Sequence, residues 1–161
     1  MDEIVYKPIG LIHSPFIEVK GTPIQSAVAK GIEGRVEIFS EYAEGLKDIE
    51  GFSHVFLIYH FHLSIKYSLR AEPFLDKEEH GIFAIRSPSR PNPIGISIVR
   101  IVRLEGKILY IQDVDILNET PHLDIKPYVP EFDKREGTKI GWLEKNIHKI
   151  HSARDDGRFA V

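Results

Sequence analysis

Short apolar runs separated by glycines and prolines dominate the sequence. They are rich in Ile, Val, Phe and Tyr, which are enriched in β-strands. We predict strands over residues 4–12, 35–39, 54–63, 81–86, 96–104 and 107–114. Glu105-Gly106 joins the last two runs and predicts a tight antiparallel hairpin. Many short strands with few helices indicate a mainly β protein, a barrel or a sandwich with mostly antiparallel neighbours.

Two segments carry helical signals. The hydroxyl of Ser40 can cap a short helix over residues 41–48. A second helix is predicted over residues 138–151, where apolar side chains recur at spacings of three and four. These side chains are Ile140, Leu143, Ile147 and Ile150. Such a stripe is typical of a face that docks on the rest of the protein. For the segment that follows, residues 152–161, we expect poor order.

The composition limits the classes of function. A chain of 161 residues that is 42% hydrophobic can bury one core, so we expect a β domain over residues 1–135 with a helix and tail, residues 136–161, packed on it. Cysteine is absent, which excludes disulfides and thiolate catalysis. No apolar run approaches the roughly 20 residues of a membrane span. We therefore expect a soluble cytoplasmic protein that has no contact with a membrane.

Arginines are concentrated in one part of the chain. The net charge of -3 is not the basic balance typical of nucleic-acid binders. From His80 to Leu104, however, the chain has no Asp or Glu and carries Arg86, Arg90, Arg100 and Arg103. Two interpretations stay open: one face binds phosphate, or the arginines lie on opposite faces of strands.

The most unusual segment is residues 86–95, Arg-Ser-Pro-Ser-Arg-Pro-Asn-Pro-Ile-Gly. Its three prolines fix backbone torsions and remove three amide donors, so a strand cannot run through it. A stiff loop loses little further entropy when a ligand binds, and it could hold Arg86, Arg90 and Asn92 in fixed directions. The alternative is a rigid connector whose arginines have no such role.

Carboxylates crowd around two prolines in residues 113–128. Asp124 and Lys126 are two residues apart, so they share a face if the chain is extended there. They could form a structural ion pair. Alternatively, Asp124 could accept a hydrogen bond from a ribose or take a proton.

Three histidines occupy even positions of the predicted strand over residues 54–63: His54, His60 and His62. Each strand residue advances about 3.3 Å, whereas metal ligands converge within roughly 2 Å of the ion, so at most His60 and His62 could share one. We expect no metal site and interpret these histidines as lining or ligand-stacking groups. The G-x-G-x-x-G, Walker and G-x-S-x-G patterns are also absent.

Residues 86–95 closely resemble the R-S-x-x-R-P-N-P-I-G signature of the TrmO/TsaA-like family of tRNA adenosine methyltransferases. The segment from Thr120 to Tyr128 resembles the family's T-P-x-x-D-I-K-P-Y segment, and Phe52-Ser53-His54 resembles its F-S-H strand start. Ile9-Gly10, Ser14-Pro15 and Pro23-x-Gln25 also fit in order, so the resemblance spans residues 4–132.

The resemblance implies a single-sheeted, antiparallel-rich β-barrel that binds S-adenosylmethionine and works as a homodimer, with the cofactor pocket near the interface. It implies methyl transfer to the exocyclic amine of the threonylcarbamoylated adenosine 3′ of the anticodon in tRNA. The family's cofactor contacts carry over to Pro23, Ile24, Gln25, His62, Leu63, Arg86, Ile96, Asp115, Ile116, Leu117, Asn118, Glu119 and Thr120.

Within that reaction we assign chemical roles to five further residues. Asn92 could accept a hydrogen bond from the amine, and Asp124 or Tyr128 could help its proton leave. Arg90 and Lys126 could hold RNA phosphate or the threonyl carboxylate. The alternatives are a non-catalytic S-adenosylmethionine-binding module, a methyltransferase with another acceptor, and a barrel enzyme that depends on a metal.

The chain departs from the family pattern in three places. Asn118-Glu119 stands where many relatives read Asp-Gly, and we expect a reshaped loop because Glu119 resists torsions that glycine permits. Ile24 replaces a common arginine and removes a charge. The longer C-terminal domain of larger bacterial relatives has no counterpart in this sequence.

Overall fold

Six antiparallel strands close into a barrel in the computed structural model, which describes residues 1–159. The strand order is β1-β2-β7-β6-β3-β8, and β8 pairs with β1 to complete the closure. A separate two-stranded sheet joins β4 and β5. The strands are β1 (Gly10–His13), β2 (Glu33–Ile38), β3 (His54–His60), β4 (Arg70–Ala71), β5 (His80–Gly81), β6 (Ile94–Glu105), β7 (Ile108–Gln112) and β8 (Thr120–Pro127). The predicted antiparallel-rich β-barrel is confirmed.

The helical segments are short. One is an α-helical turn, α1 (Pro130–Asp133), and the others are 3-10 helices. The 3-10 helices are Ser26–Val28, Ser40–Leu46, Ile49–Gly51, Ile82–Ala84, Gly141–Lys145 and Ile147–Lys149. No helix among residues 1–159 has both the length and the apolar character needed to cross a bilayer.

Alternation along the strands fills the barrel. On β3, Val55, Leu57 and Tyr59 point inward and are buried, while their neighbours are partly exposed. The inward residues of the other strands complete one core, which includes Ile12, Val36, Ile38, Val99, Leu109 and Ile111. One apolar cluster therefore holds the barrel together, and the ends of the strands are free to carry loops.

Two strand predictions were wrong in part. Residues 81–86 do not form a strand, because Ile82 and Ile85 are buried and Phe83 is 77% exposed, a spacing of three that suits the 3-10 turn Ile82–Ala84. The first strand begins only at Gly10, and Ile4, Val5 and Tyr6 before it are exposed. Conversely, β8 was not predicted, because its prolines indicated a loop. Both prolines lie near its ends, where the ladder tolerates them.

Both helix predictions need correction. Residues 138–151 form two 3-10 turns rather than one helix, because Gly141 adopts a φ of 58°, which breaks the α-helical path. The segment after Ser40 is a 3-10 helix without a side-chain cap. The Ser40 hydroxyl instead accepts a hydrogen bond from Lys107 Nζ at 3.3 Å.

The segment 152–159 is held in place, in contrast to the predicted disorder. Arg154 forms a β-bridge with Pro23. The Asp155 carbonyl accepts a hydrogen bond from Gly21 N at 2.6 Å, and Asp155 N donates to the Thr22 carbonyl at 2.9 Å. Residues 160 and 161 lie outside the described part of the chain.

Candidate functional site

The barrel end at which β3 finishes and β6 and β8 begin holds a cavity of about 470 Å³. Antiparallel pairing brings these strand ends to the same rim. The loops between the strands supply most of the cavity wall. A cavity of this size and position is typical of a small-molecule site at the mouth of a β-barrel.

Most of the predicted cofactor contacts line this cavity although they come from four separate stretches of sequence. They are Pro23, Ile24, Gln25, His62, Leu63, Arg86, Ile96, Asp115, Ile116, Leu117 and Thr120. Asn118 and Glu119 do not line it. The Asn118 side chain instead accepts a hydrogen bond from Ser14 N at 3.1 Å, so it holds the loop rather than facing the cavity.

Glu119 accepts the unusual torsion that a glycine would favour. Its φ is 61°, in the left-handed region. Glu119 therefore adopts a torsion that we expected it to resist. The strain is tolerated because flanking contacts fix the loop, including Asn118 N to the Phe16 carbonyl at 2.7 Å.

The proline-rich loop of residues 86–95 is anchored through its backbone. Phe61 N donates to the Pro93 carbonyl at 2.7 Å, and Ser64 Oγ donates to the Pro88 carbonyl at 2.9 Å. Arg90 bonds within the loop region, from Nη1 to the Ile85 carbonyl at 2.9 Å. Arg90 and Asn92 both line the cavity. The loop is thus anchored at several points and faces the cavity.

Arg86 links two walls of the cavity. Its Nη1 donates to Gln25 Oε1 at 3.0 Å. A second cavity of about 490 Å³ lies on the other side of this pair and is mainly apolar, with Trp142 among its lining residues. The Gln25–Arg86 pair therefore separates two neighbouring cavities.

A buried polar relay lies at the floor of the first cavity. Ser97 Oγ donates to Asp115 Oδ1 at 2.6 Å, and Tyr59 Oη lies 3.0 Å from Ser97 Oγ. Burial raises the pKa of Asp115 to about 6, against weaker lowering by the Ser97 hydrogen bond and the Arg86 charge. Burial also raises the pKa of Tyr59 above its usual value. The site therefore holds a carboxylate whose charge is poorly compensated.

His62 borders the cavity beside Thr120. Thr120 Oγ1 lies 3.4 Å from His62 Nδ1 and donates to the Leu117 carbonyl at 2.7 Å. Burial, and next the nearby His60, lower the pKa of His62. A neutral imidazole at this position can pack against a ligand ring. Among residues 1–159, no group of three or more His, Asp or Glu side chains could hold a metal ion.

Three predicted residues lie away from this cavity. Asp124 and Lys126 form an ion pair at 3.0 Å on the outer side of β8. Tyr128 packs edge-on against Phe56, with ring centroids 5.6 Å apart, and its backbone N–H donates to the His54 carbonyl. His54 and His60 are the two ends of β3, about 20 Å apart for six residues at 3.3 Å each. Tyr128 and the cavity are therefore at opposite ends of the barrel.

Sequence reasoning missed several lining residues. Tyr59 lines the cavity, and its hydroxyl lies against Ser97 behind the lining; an inward-facing serine in an apolar strand is a signal that could have identified this contact. Asp155 and Phe159 also line the cavity. No sequence signal places them there, because their position depends on long-range docking of the segment 152–159.

Comparisons with known proteins agree with this geometry. Residues 11–134 match the sequence model of the tRNA-methyltransferase O N-terminal domain. The chain is 65% identical over 156 residues to a Pyrococcus abyssi protein named "Probable S-adenosyl-L-methionine-binding protein", covering 97% of this chain and 85% of that relative. It is 34% identical to the human protein named "tRNA (adenine(37)-N6)-methyltransferase", covering 89% of this chain and 34% of the human one.

A solved structure shares the fold. The crystal structure of TrmO from Pseudomonas aeruginosa matches with a TM-score of 0.74 at 34% identity, covering 88% of this chain and 63% of that chain. This chain thus spans less than two thirds of the solved protein and about a third of the human one.

Proposed function

Because the chain belongs to the family of the tRNA-methyltransferase O N-terminal domain, we propose that it transfers a methyl group from S-adenosylmethionine to an adenine amine of tRNA. The acceptor in this proposal is the exocyclic amine of the threonylcarbamoylated adenosine 3′ of the anticodon. The observation that carries the proposal is the gathering of four separate sequence stretches around one cavity of about 470 Å³.

The residues around the cavity suit this cofactor. S-adenosylmethionine carries two cationic groups, a sulfonium and an ammonium, together with a carboxylate and an aromatic base. The cavity supplies the buried carboxylate of Asp115 and the guanidinium of Arg86. Aromatic and aliphatic side chains such as Phe61 and Ile116 supply apolar surface. Gln25, fixed by Arg86, is placed to orient a polar group of the nucleoside.

The cofactor supplies an electrophilic methyl group on sulfur, so the protein has mainly to position the amine and exclude water. The amine nitrogen forms the new bond to carbon while the carbon–sulfur bond breaks with its electron pair on sulfur, and one amine proton leaves. Asn92 lines the cavity on a rigid loop, where its side-chain oxygen can accept a hydrogen bond from the amine. Arg90, on the same loop, can face phosphate or the threonyl carboxylate.

We propose that the protein works as a homodimer. The outer face of β6 and β3 exposes a strip of apolar side chains, with Ile94 40%, Ile96 50% and Ile98 37% exposed and Phe56 opposite Ile98 in register. The strip runs from the Tyr128 end of the barrel to the cavity, which Ile94 and Ile96 line. An apolar strip of this kind on a barrel face favours self-association.

A twofold arrangement would also give the remote residues a role. If two copies pack strip against strip in an antiparallel orientation, the Tyr128 end of one barrel lies near the cavity end of the other. We propose that Asp124, Lys126 and Tyr128 act on the cavity of the second copy. Asp124 or Tyr128 would then take up the amine proton, and Lys126 would contact the RNA.

The decisive experiment is incubation of the protein with labelled S-adenosylmethionine and matched tRNA, with and without the threonylcarbamoyl group. We expect label only in the modified tRNA, and we expect Asn92→Ala to reduce incorporation by at least tenfold. Arg103→Ala, far from the cavity on β6, is the matched control. Full incorporation by Asn92→Ala would remove that residue from the mechanism.

One alternative rests on a specific observation. The Pyrococcus abyssi relative, at 65% identity, is named for binding S-adenosyl-L-methionine and not for catalysis. A non-catalytic module, or a methyltransferase with another acceptor, would bind the cofactor but leave every tRNA in the assay unlabelled. Nucleoside mass spectrometry of tRNA from a deletion strain separates these two cases.

A further inference from the structure

We propose that the segment 152–159 is part of the cofactor site and that the Asp155 carboxylate recognises a cationic group of the bound cofactor. This inference rests on the proposed function. It concerns a part of the chain outside residues 11–134, which are the residues that match the family domain. Asp155 and Phe159 line the same cavity as most of the cofactor contacts predicted from the family resemblance.

The segment is attached to three loops that form the cavity wall. Its backbone pairs with Gly21 and Thr22 through Asp155, at 2.6 and 2.9 Å. Arg158 donates to the Pro73 carbonyl at 3.1 Å and lies over the Phe74 ring, 5.0 Å from its centroid. The attachment is therefore specific at both ends of the segment and directs Asp155 toward the cavity.

Phe159 completes this attachment. Its ring packs edge-on against Phe74 with centroids 5.3 Å apart, and its carbonyl accepts a hydrogen bond from Ser89 Oγ at 3.4 Å. Ser89 belongs to the proline-rich loop. Phe159 also lines both cavities, so this ring forms part of the wall between them.

The lining of the cavity carries charges of both signs. Among the described residues that line it, the acids are Asp115 and Asp155 and the arginines are Arg86 and Arg90. Arg86 is the cation that acts on Asp115, and Arg90 bonds to carbonyls of its own loop. Arg158 pairs instead with Asp156, at 2.5 Å.

Asp155 forms no ion pair within residues 1–159: the Arg158 charge lowers its pKa, but the Arg158 guanidinium pairs with Asp156. Burial raises the pKa of Asp155, which means that a cation brought beside it would be stabilised. The cofactor offers two such cations, whereas the cavity offers two carboxylates, one in the barrel floor and one in the segment 152–159. Each cation can then face one carboxylate, which leaves the lining arginines, Arg86 and Arg90, for the carboxylate of the ligand.

The test is calorimetric titration of the whole chain and of Asp155→Asn with three ligands: S-adenosylmethionine, S-adenosylhomocysteine and 5′-methylthioadenosine. The last lacks both the sulfonium charge and the amino-acid group. Asparagine keeps the oxygen that accepts the Gly157 N–H at 2.7 Å, so the local turn is preserved. Glu136→Gln, an exposed residue outside the cavity lining, is the matched control.

We expect Asp155→Asn to weaken S-adenosylmethionine binding about tenfold and to leave 5′-methylthioadenosine binding unchanged. An equal loss for S-adenosylhomocysteine would identify the ammonium as the recognised cation, and no loss would identify the sulfonium. Unchanged S-adenosylmethionine binding, or an equal loss for all three ligands, would overturn the inference while leaving the proposed function intact. Failure of the unaltered chain to bind S-adenosylmethionine would instead refute the proposed function itself.

Discussion

The ring of Tyr59 on β3 lies directly across Gly95, its register partner on β6. A Cβ on Gly95 would be 2.3 Å from Tyr59 Cε2 and 2.8 Å from Phe61 Cζ. Gly95 closes the proline-rich segment, so this glycine provides the space for the aromatic floor of the cavity. The Tyr59 hydroxyl in turn reaches Ser97 and, through it, Asp115.

Gly95→Ala should therefore displace Tyr59 and destabilise the barrel. We expect a loss of about 1–3 kcal/mol in the free energy of unfolding, the usual effect of overpacking a core. Chemical denaturation measures this loss. Gly45→Ala is the control, since its Cβ would meet nothing within 4 Å. Equal stability of the two variants would show that the Tyr59 ring moves aside freely.

Asp115→Asn should stabilise the fold at neutral pH and weaken cofactor binding. Burial raises the folded-state pKa of Asp115 from 3.8 to about 6, so its contribution to stability is complete below pH 3.8 and is lost as the pH rises through 6. The loss is about 3 kcal/mol for a shift of this size. Asparagine removes the charge. The free energy of unfolding of Asp115→Asn should therefore exceed that of the unaltered protein by an amount that grows between pH 4 and pH 7.5. Denaturation at both pH values measures it, and an advantage independent of pH would contradict the prediction.

His122 should make the barrel sensitive to acid. It is fully buried in β8, and neither ring nitrogen has a hydrogen-bond partner among residues 1–159. Burial lowers its pKa from 6.5 to about 4, so stability is complete above pH 6.5 and falls as the pH drops toward 4, by up to about 3 kcal/mol. His122→Leu should remove this fall. Comparison of the two denaturation profiles from pH 7 to pH 4 checks it, and parallel profiles would argue against a neutral buried histidine.

Glu119→Gly should stabilise the loop before β8. Glu119 has a φ of 61°, a conformation that is unfavourable for residues with a Cβ by about 1 kcal/mol and that glycine adopts readily. We expect the free energy of unfolding, measured by thermal denaturation, to rise by an amount approaching this cost. Glu119→Ala removes the same carboxylate but keeps the Cβ, so it should give no gain. A gain in both variants would instead indicate that the negative charge is unfavourable.

Ile98→Arg should disrupt the homodimer that we propose. Ile98 is the last of the three isoleucines of the apolar strip on β6 and lies opposite Phe56, and a charge there would be desolvated if two copies met on this face. Light scattering after size exclusion measures the mass. Val102→Arg, at an exposed position farther along β6, is the control. A dimer that survives Ile98→Arg would place the interface on another face.

The apolar runs were enough to predict a barrel or a sandwich, since they identified β2, β3, β6 and β7 within a few residues, and the family resemblance then favoured the barrel. It failed where burial is not alternating. β8 contains two prolines and a buried histidine, and its pairing with both β1 and β3 is a long-range property. The cofactor contacts were predicted from the family resemblance, and most of these residues line one cavity.

The remaining site residues depend on tertiary contacts that leave little mark on the sequence. Tyr128 is close to cavity residues along the chain, yet the length of β8 carries it to the other end of the barrel, whereas Asp124 lies in the middle of β8, opposite Ile58. Asp155 is distant in sequence and is brought to the cavity by backbone pairing with residues 21 and 22. Neither fact can be obtained from residue types alone, because one depends on the length of β8 and the other on long-range backbone pairing.

The docking of Phe159 has a practical consequence for handling this protein. An affinity tag fused after Val161 would start three residues beyond Phe159, whose side chain borders both cavities. Purification handles are therefore better placed before Met1.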